Sequence, residues 1–203
     1  VSMSSDIQST FIEAATADTD GVCASQTPSG AGNLTINGTL ADSGAVTFDQ
    51  PRQITVTGGS DESGKTFTVT GTDETGTAAS EVITGPNATT VTSTGYFATI
   101  SQIAASAATA GAITVGSAAT IAAPIFRGRL RLRGMYVVNT GSAGTITFRQ
   151  TSATGAIKMQ FNTVSSANTT QYPDVPDDGL LFVGGGYVLY TQTHLSSMTL
   201  FYS

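Results

Sequence analysis

The run Arg127-Gly-Arg129-Leu-Arg131-Leu-Arg133 sets four arginines on alternate positions. Side chains of a β-strand alternate between faces, so this spacing aligns four guanidiniums on one side and Leu130 and Leu132 on the other. The pattern predicts a long strand from Arg127 through Val138, with Leu130, Leu132, Gly134, Tyr136 and Val138 facing inward. The arginine face continues into Met135 and Val137, which predicts that the far end is buried on both sides. At about 3.3 Å per residue the row is roughly 20 Å long. It holds half of the eight basic residues in the chain, and a row of like charges calls for something to neutralise it.

The rest of the chain is strand-forming too. Gly, Ala, Ser and Thr make up roughly half of the 203 residues, with Thr far above ordinary usage. Thr favours strands, while Gly, Asn and Asp supply turns, so the predicted class is all-β. Asn37-Gly38, between Leu34-Thr-Ile36 and Thr39-Leu40, predicts a hairpin. Gln53–Thr57 and Thr66–Thr70 alternate apolar residues with Thr around a loop at 58–64. They place Ile54, Val56, Phe67 and Val69 in one core, with a threonine ladder on the opposite face. Further strands are predicted at 80–84, 90–94, 97–103 and 112–116.

Ile7, Phe11 and Ile12 carry a weak helical stripe, so residues 1–30 are predicted to form an N-terminal arm or short helix. A β-sandwich domain is expected over 31–120. The small-residue stretch before Pro124 is read as a linker, with the boundary near 118–125. A second sandwich, Ig-like or jelly-roll-like, is expected over 121–203. Its strands fall at 145–150 (Ile146 and Phe148 inward), 156–162 (Ile157, Met159 and Phe161 inward), 169–173, 180–183, 187–191 and 197–202. Gly184-Gly-Gly186 predicts a tight hairpin between the strands at 180–183 and 187–190.

Charge divides unevenly. Residues 1–123 hold two basic and eleven acidic side chains, and residues 124–203 hold six basic and three acidic. Such polarity suits contact between subunits, and the acidic total argues against general nucleic-acid binding, although the second half alone would not forbid it. With Cys23 alone there is no disulfide framework or cysteine metal cluster. No secretory signal and no membrane-length apolar run are read, which suggests a protein made in a reducing cytoplasm.

Catalytic chemistry finds little support. His194 is the one histidine, in a turn with no nucleophile elbow, and is read as an exposed turn residue. Asp61-Glu62 and Asp73-Glu74 are read as solvated acids at hairpin tips, and Asp177-Asp178-Gly179 as a turn. No EF-hand spacing is present. The chain is therefore expected to be no enzyme, and neither a cofactor nor a metal is assigned. The arginine row is either an edge strand that blocks aggregation or a contact surface. The candidate interface is Arg127, Arg129, Arg131 and Arg133 with Phe11 and Ile12.

The runs Thr68–Gly76, Ser80–Pro86, Thr94–Phe97 and Ile113–Gly116 resemble a module of virion proteins in tailed bacteriophages. Phe126–Val137, the turn at 176–182 and the closing Val-Leu-Tyr and Met-Thr-Leu-Phe-Tyr pattern are similar to small β-sandwich phage structural proteins. The resemblance covers residues 33–203 and carries no catalytic residues. It implies a virion component assembled in the host cytoplasm. The favoured form is a head decoration (cement) protein, often trimeric, that clamps major capsid subunits, and a neck or tail component is the alternative. A host-surface glycan-binding module is a further alternative, and it predicts an exposed aromatic cleft.

Overall fold

The computed structural model describes residues 6–165 and 169–203; the first five residues of the arm expected over 1–30 lie outside them. The described residues contain strands and no helix, and the strands pair into antiparallel sheets. In chain order the strands are β1 (Gln8–Glu13), β2 (Asp18–Gln26), β3 (Gly32–Asn33), β4 (Ala41–Asp42), β5 (Ala45–Gly58) and β6 (Thr66–Asp73). Next come β7 (Ala78–Thr84), β8 (Thr90–Thr92), β9 (Phe97–Ala105), β10 (Ile113–Phe126), β11 (Leu130–Asn139) and β12 (Thr145–Gln150). The chain continues through β13 (Ile157–Asn162), β14 (Thr170–Gln171), β15 (Leu180–Phe182), β16 (Gly186–Thr191) and β17 (Leu195–Tyr202). They form two compact units, Thr16–Ile121 and a second that joins the described residues before Thr16 to those from Ala122 to Ser203.

In the Thr16–Ile121 unit the strand order is β10-β5-β9-β6-β7, with β2 on β10, β3 on β9, and β4 and β8 on β5. Ile54, Val56, Phe67 and Val69 face one core as their alternation predicts, together with Ile100, Ile103, Ile113 and Val115. Each fully buried side chain of this size contributes about 1.5–3 kcal/mol. Of the expected threonine ladder, Thr57 pairs its hydroxyl with Thr90 (2.7 Å) and Thr55 is buried, while Thr72 and Thr99 make a further hydroxyl pair at 2.7 Å. Strands β5 and β6 are not hairpin partners, because β9 pairs with both.

The tight turn falls elsewhere than at Asn37-Gly38. Ser43 and Gly44 both have positive φ (54° and 80°) and link β4 to β5, a primed two-residue hairpin. Asn37 instead accepts a hydrogen bond from the Ala24 N–H (3.1 Å) through its side chain, and Gly38 N–H donates to Val22 O (3.0 Å). A Cβ on Gly38 would lie 2.2 Å from Asp20 O, so glycine is there for close approach to β2. The supposed linker at 118–125 is part of β10, with Ile121, Ala122 and Ala123 fully buried. Small residues there serve close packing rather than flexibility.

In the other unit β1, β17, β11 and β14 pair in that order, with β15 also on β11, and β12 lies between β13 and β16. The expected arm or helix is therefore corrected: Gln8–Glu13 is a strand registered on β17 from Gln8↔Tyr202 to Glu13↔Ser197. Pairing with a ready strand edge and burying Ile12 overrides a weak helical stripe. Gly184 and Gly185 (φ 90° and 117°) turn the chain between sheets, since β15 pairs with β11 and β16 with β12; no hairpin forms. Ile146 and Phe148 are buried as expected, whereas Ile157, on the edge strand β13, is half exposed.

Candidate contact surface

β17 lies between β1 and β11, and its alternation divides the three strands into two faces. Met198, Leu200 and Tyr202 point inward with Ile12, Leu130, Leu132, Met135 and Val137, all buried. Ser197, Thr199 and Phe201 point outward. Across the outer face, register aligns Ser9 with Phe201 and Gly134, Phe11 with Thr199 and Tyr136, and Glu13 with Ser197 and Val138.

The face assignment beyond Leu132 differs from strict alternation. Leu132 pairs with Tyr202 and Gly134 with Phe201, so Arg133 is the extra residue of a β-bulge. That one-residue insertion moves Met135 and Val137 into the core and turns Tyr136 outward. Both expectations for the far end are thereby corrected: Tyr136 is not an inner residue, and Met135 and Val137 do not extend the arginine face.

The four arginines do not form one row either. β11 starts at Leu130, leaving Arg127 and Arg129 in the connection from β10. Arg129 lines a cleft of about 200 Å³ with Asp6, Gln8, Phe126, Leu130, Tyr202 and Ser203. Arg131 and Arg133 lie on the outer face. Arg131 donates one guanidinium N–H to Asp178 O (2.9 Å), and Arg133 Nε donates to Ser203 Oγ (3.0 Å). Each fork keeps further donors, and neither arginine is ion-paired among the described residues.

The turn ending at Gly179 packs on their stems: a Cβ there would meet Leu132 O at 2.8 Å and Arg133 Cδ at 3.1 Å, and its φ is 74°. Of the two apolar candidates, Phe11 is 62% exposed on the outer face, while Ile12 is 0% exposed and belongs to the core. Phe201, Tyr136 and Tyr172 are the aromatic members that the sequence did not single out. Tyr172 is 72% exposed and meets Tyr136 edge-on at 5.3 Å. Their signal, the β17 register, needs the pairing partners to be known. Beside Tyr172 a second cleft of about 440 Å³ is lined by Met159, Phe161, Asn162, Gln171, Pro173 and Asp174.

Several titratable groups elsewhere are engaged structurally. Glu62 is 0% exposed rather than solvated: it accepts from Lys65 Nζ (2.5 Å) and the Gly111 N–H (2.9 Å). Burial raises its pKa, but the Lys65 ammonium and backbone N–H groups outweigh it and hold the carboxyl below the usual range. Glu74 is buried as well. Burial pushes the Cys23 thiol up to about 12, so it is an inert core group. The ring of His194 lies against Gly144, half buried rather than exposed. No three His, Cys, Asp or Glu residues among those described are grouped to hold a metal, and no described helix is long and apolar enough to cross a membrane. No protein-family model and no curated protein matches this chain.

Proposed function

We propose that this chain is a non-enzymatic structural subunit of a tailed-bacteriophage particle, of the head-decoration type that holds capsid subunits together. The observation that carries the reading is the outer face of β1, β17 and β11. It presents Phe11, Phe201 and Tyr136 beside Arg131 and Arg133, with Tyr172 at its margin. Aromatic residues and arginine are the side chains enriched at protein contacts, and clustered exposed apolar groups mark a surface awaiting a partner. The resemblance of residues 33–203 to phage structural proteins supplies the kind of partner, the major capsid protein. Locating the chain in intact particles by electron microscopy tests this. Density on the head, with lower capsid thermal stability when the chain is absent, supports the reading; density on neck or tail moves it there. Absence from particles ends it.

A second reading has an observation of its own. The 440 Å³ cleft beside Tyr172 combines Phe161 and Tyr172 with Asn162, Gln171 and Asp174, aromatic platforms next to hydroxyl-binding groups. That is the cleft a glycan-binding module needs. Binding to a glycan array that is lost in Tyr172→Ala supports it, and no binding to any glycan sinks it.

A further inference from the structure

The outer face carries charge of both signs at opposite corners. Strands β1 and β11 both run antiparallel to β17 and hence parallel to each other. Glu13, exposed at the C-terminal end of β1, aligns with Ser197 of β17. Arg131, near the N-terminal end of β11, exchanges backbone hydrogen bonds with Ser203 (2.8 and 3.0 Å). Six residue steps, from Ser197 to Ser203, separate those levels, roughly 20 Å at about 3.3 Å per residue. The Glu13 carboxylate has no hydrogen-bonding or ionic partner among the described residues, and between it and the arginines lie Phe11, Thr199, Tyr136 and Phe201.

We infer that this face pairs with the same face of a second copy about a two-fold axis, so that Glu13 of each copy meets Arg131 and Arg133 of the other. The inference rests on the contact-surface reading above and names the first occupant of that surface. An acidic partner would neutralise the arginines and leave Glu13 facing like charge, and a basic partner would do the reverse. Burying an unpaired charge is costly, so either choice works against itself. A second copy turned by the two-fold supplies the inverse arrangement automatically, because an isologous contact sets residue i on j and j on i. The aromatic centre then packs against itself, with the ion pairs at its rim fixing register. Among the described residues Arg131 and Arg133 use one side-chain donor each, so their forks remain able to take a carboxylate.

The test is the mass of the purified full chain by sedimentation across concentration and salt. The expected result is a dimer that weakens as salt rises. Glu13→Arg alone, or Arg131→Glu with Arg133→Glu, is expected to weaken dimerisation by at least about tenfold, since like charges then meet. Combining all three changes restores opposite charges at both corners and recovers the dimer. Phe11→Ser, on an exposed position that the fold does not need, also yields monomer, and it serves if a charge variant fails to fold. A wild-type monomer at all concentrations, a three-copy mass, or no recovery in the triple variant overturns the inference. Particle binding is scored separately. A monomer whose Phe11→Ser variant loses particle binding sinks the self-pairing alone, whereas a charge-swappable dimer that never joins particles sinks the proposed function alone.

Discussion

The two units treat charge in opposite ways. In the Thr16–Ile121 unit, Arg52 is 5% exposed and has its guanidinium occupied by Asp49 (2.6 Å) and Thr16 O (2.8 Å), over the ring of Phe48. Asp61 accepts from Ser63, Asp73 from Thr75 and Thr77, and Glu62 from Lys65 and Gly111. In the other unit Arg131 and Arg133 are only partly engaged, and Glu13 is open to solvent. The acidic unit uses its charges to fix its own turns, and the basic one leaves charges on a surface beside exposed aromatic rings. Net charge by halves therefore hides that several acids, among them Asp61, Glu62 and Asp73, are committed to turns of their own unit.

The comparison is tested most severely by core against face. Phe67→Ala, in the acidic unit's core, is expected to cost about 3–5 kcal/mol, and Leu200→Ala, on the inner face of β17, about 2–5 kcal/mol. Phe201→Ala, the next residue along, should change stability by no more than about 0.5 kcal/mol in the monomer. Urea denaturation at low protein concentration measures all three. A cost for Phe201→Ala equal to that of Leu200→Ala would mean that the outer face is already covered within the chain.

Next in size is the buried pair. Lys65→Met strands the Glu62 carboxylate, fully buried, with only backbone donors. Removing one partner of a buried pair costs about 3–5 kcal/mol. Lys65 is 22% exposed, so water already weakens the pair, and about 2 kcal/mol is expected. The double change to Lys65→Met with Glu62→Gln should recover part of it, as a double-mutant cycle would read. An unchanged midpoint for Lys65→Met would show that the turn acids are as dispensable as the surface ones.

Gly179→Ala sharpens the comparison from the other side. Its positive φ and the approach of Leu132 O leave no room for a methyl group, so a loss of about 1–2 kcal/mol is expected. Because the turn lies on the stems of Arg131 and Arg133, the same change should weaken self-association, whereas changes in the acidic unit's turns should not. Loss of stability without any effect on dimer mass would separate the turn from the contact face.

Period-two alternation made the fold class legible, and it placed Ile54, Val56, Phe67, Val69, Ile146 and Phe148 correctly because each strand is regular there. It failed where pairing decides. Arg133 is a bulge, and a bulge leaves no mark in the sequence that distinguishes it from one more alternating residue. Small-residue stretches failed for a related reason: Ala122 and Ala123 look like linker by composition and are buried strand by packing. The turn signal at Asn37-Gly38 was real as a glycine requirement but came from close approach to β2. At the candidate surface, Phe11 and the two strand arginines were found, while Phe201, Tyr136 and Tyr172 join them only through the register of β17 and the pairing of β11 with β14.

The smallest expected effect is on acid stability. Burial works to raise the pKa of Asp73, but the Thr75 hydroxyl and the Thr75, Gly76 and Thr77 N–H groups outweigh it, and the folded value falls below the ordinary 3.8. Glu62 is likewise held below its ordinary 4.5. A carboxyl whose folded pKa is lowered contributes stability that is complete above the unfolded pKa and is lost as pH falls through the folded one. The Thr16–Ile121 unit should therefore keep its full stability down to about pH 5 and lose it progressively below about 4.5. Asp73→Asn should flatten that acid slope while lowering stability at neutral pH, because the amide accepts the same turn hydrogen bonds more weakly. Hydrogen exchange resolved by residue locates the effect: protection around β6 and β7 should fall first on acidification, with β11 and β17 following only as the whole chain unfolds. Equal acid sensitivity of β17 would show that the two units do not differ in how they use their charges.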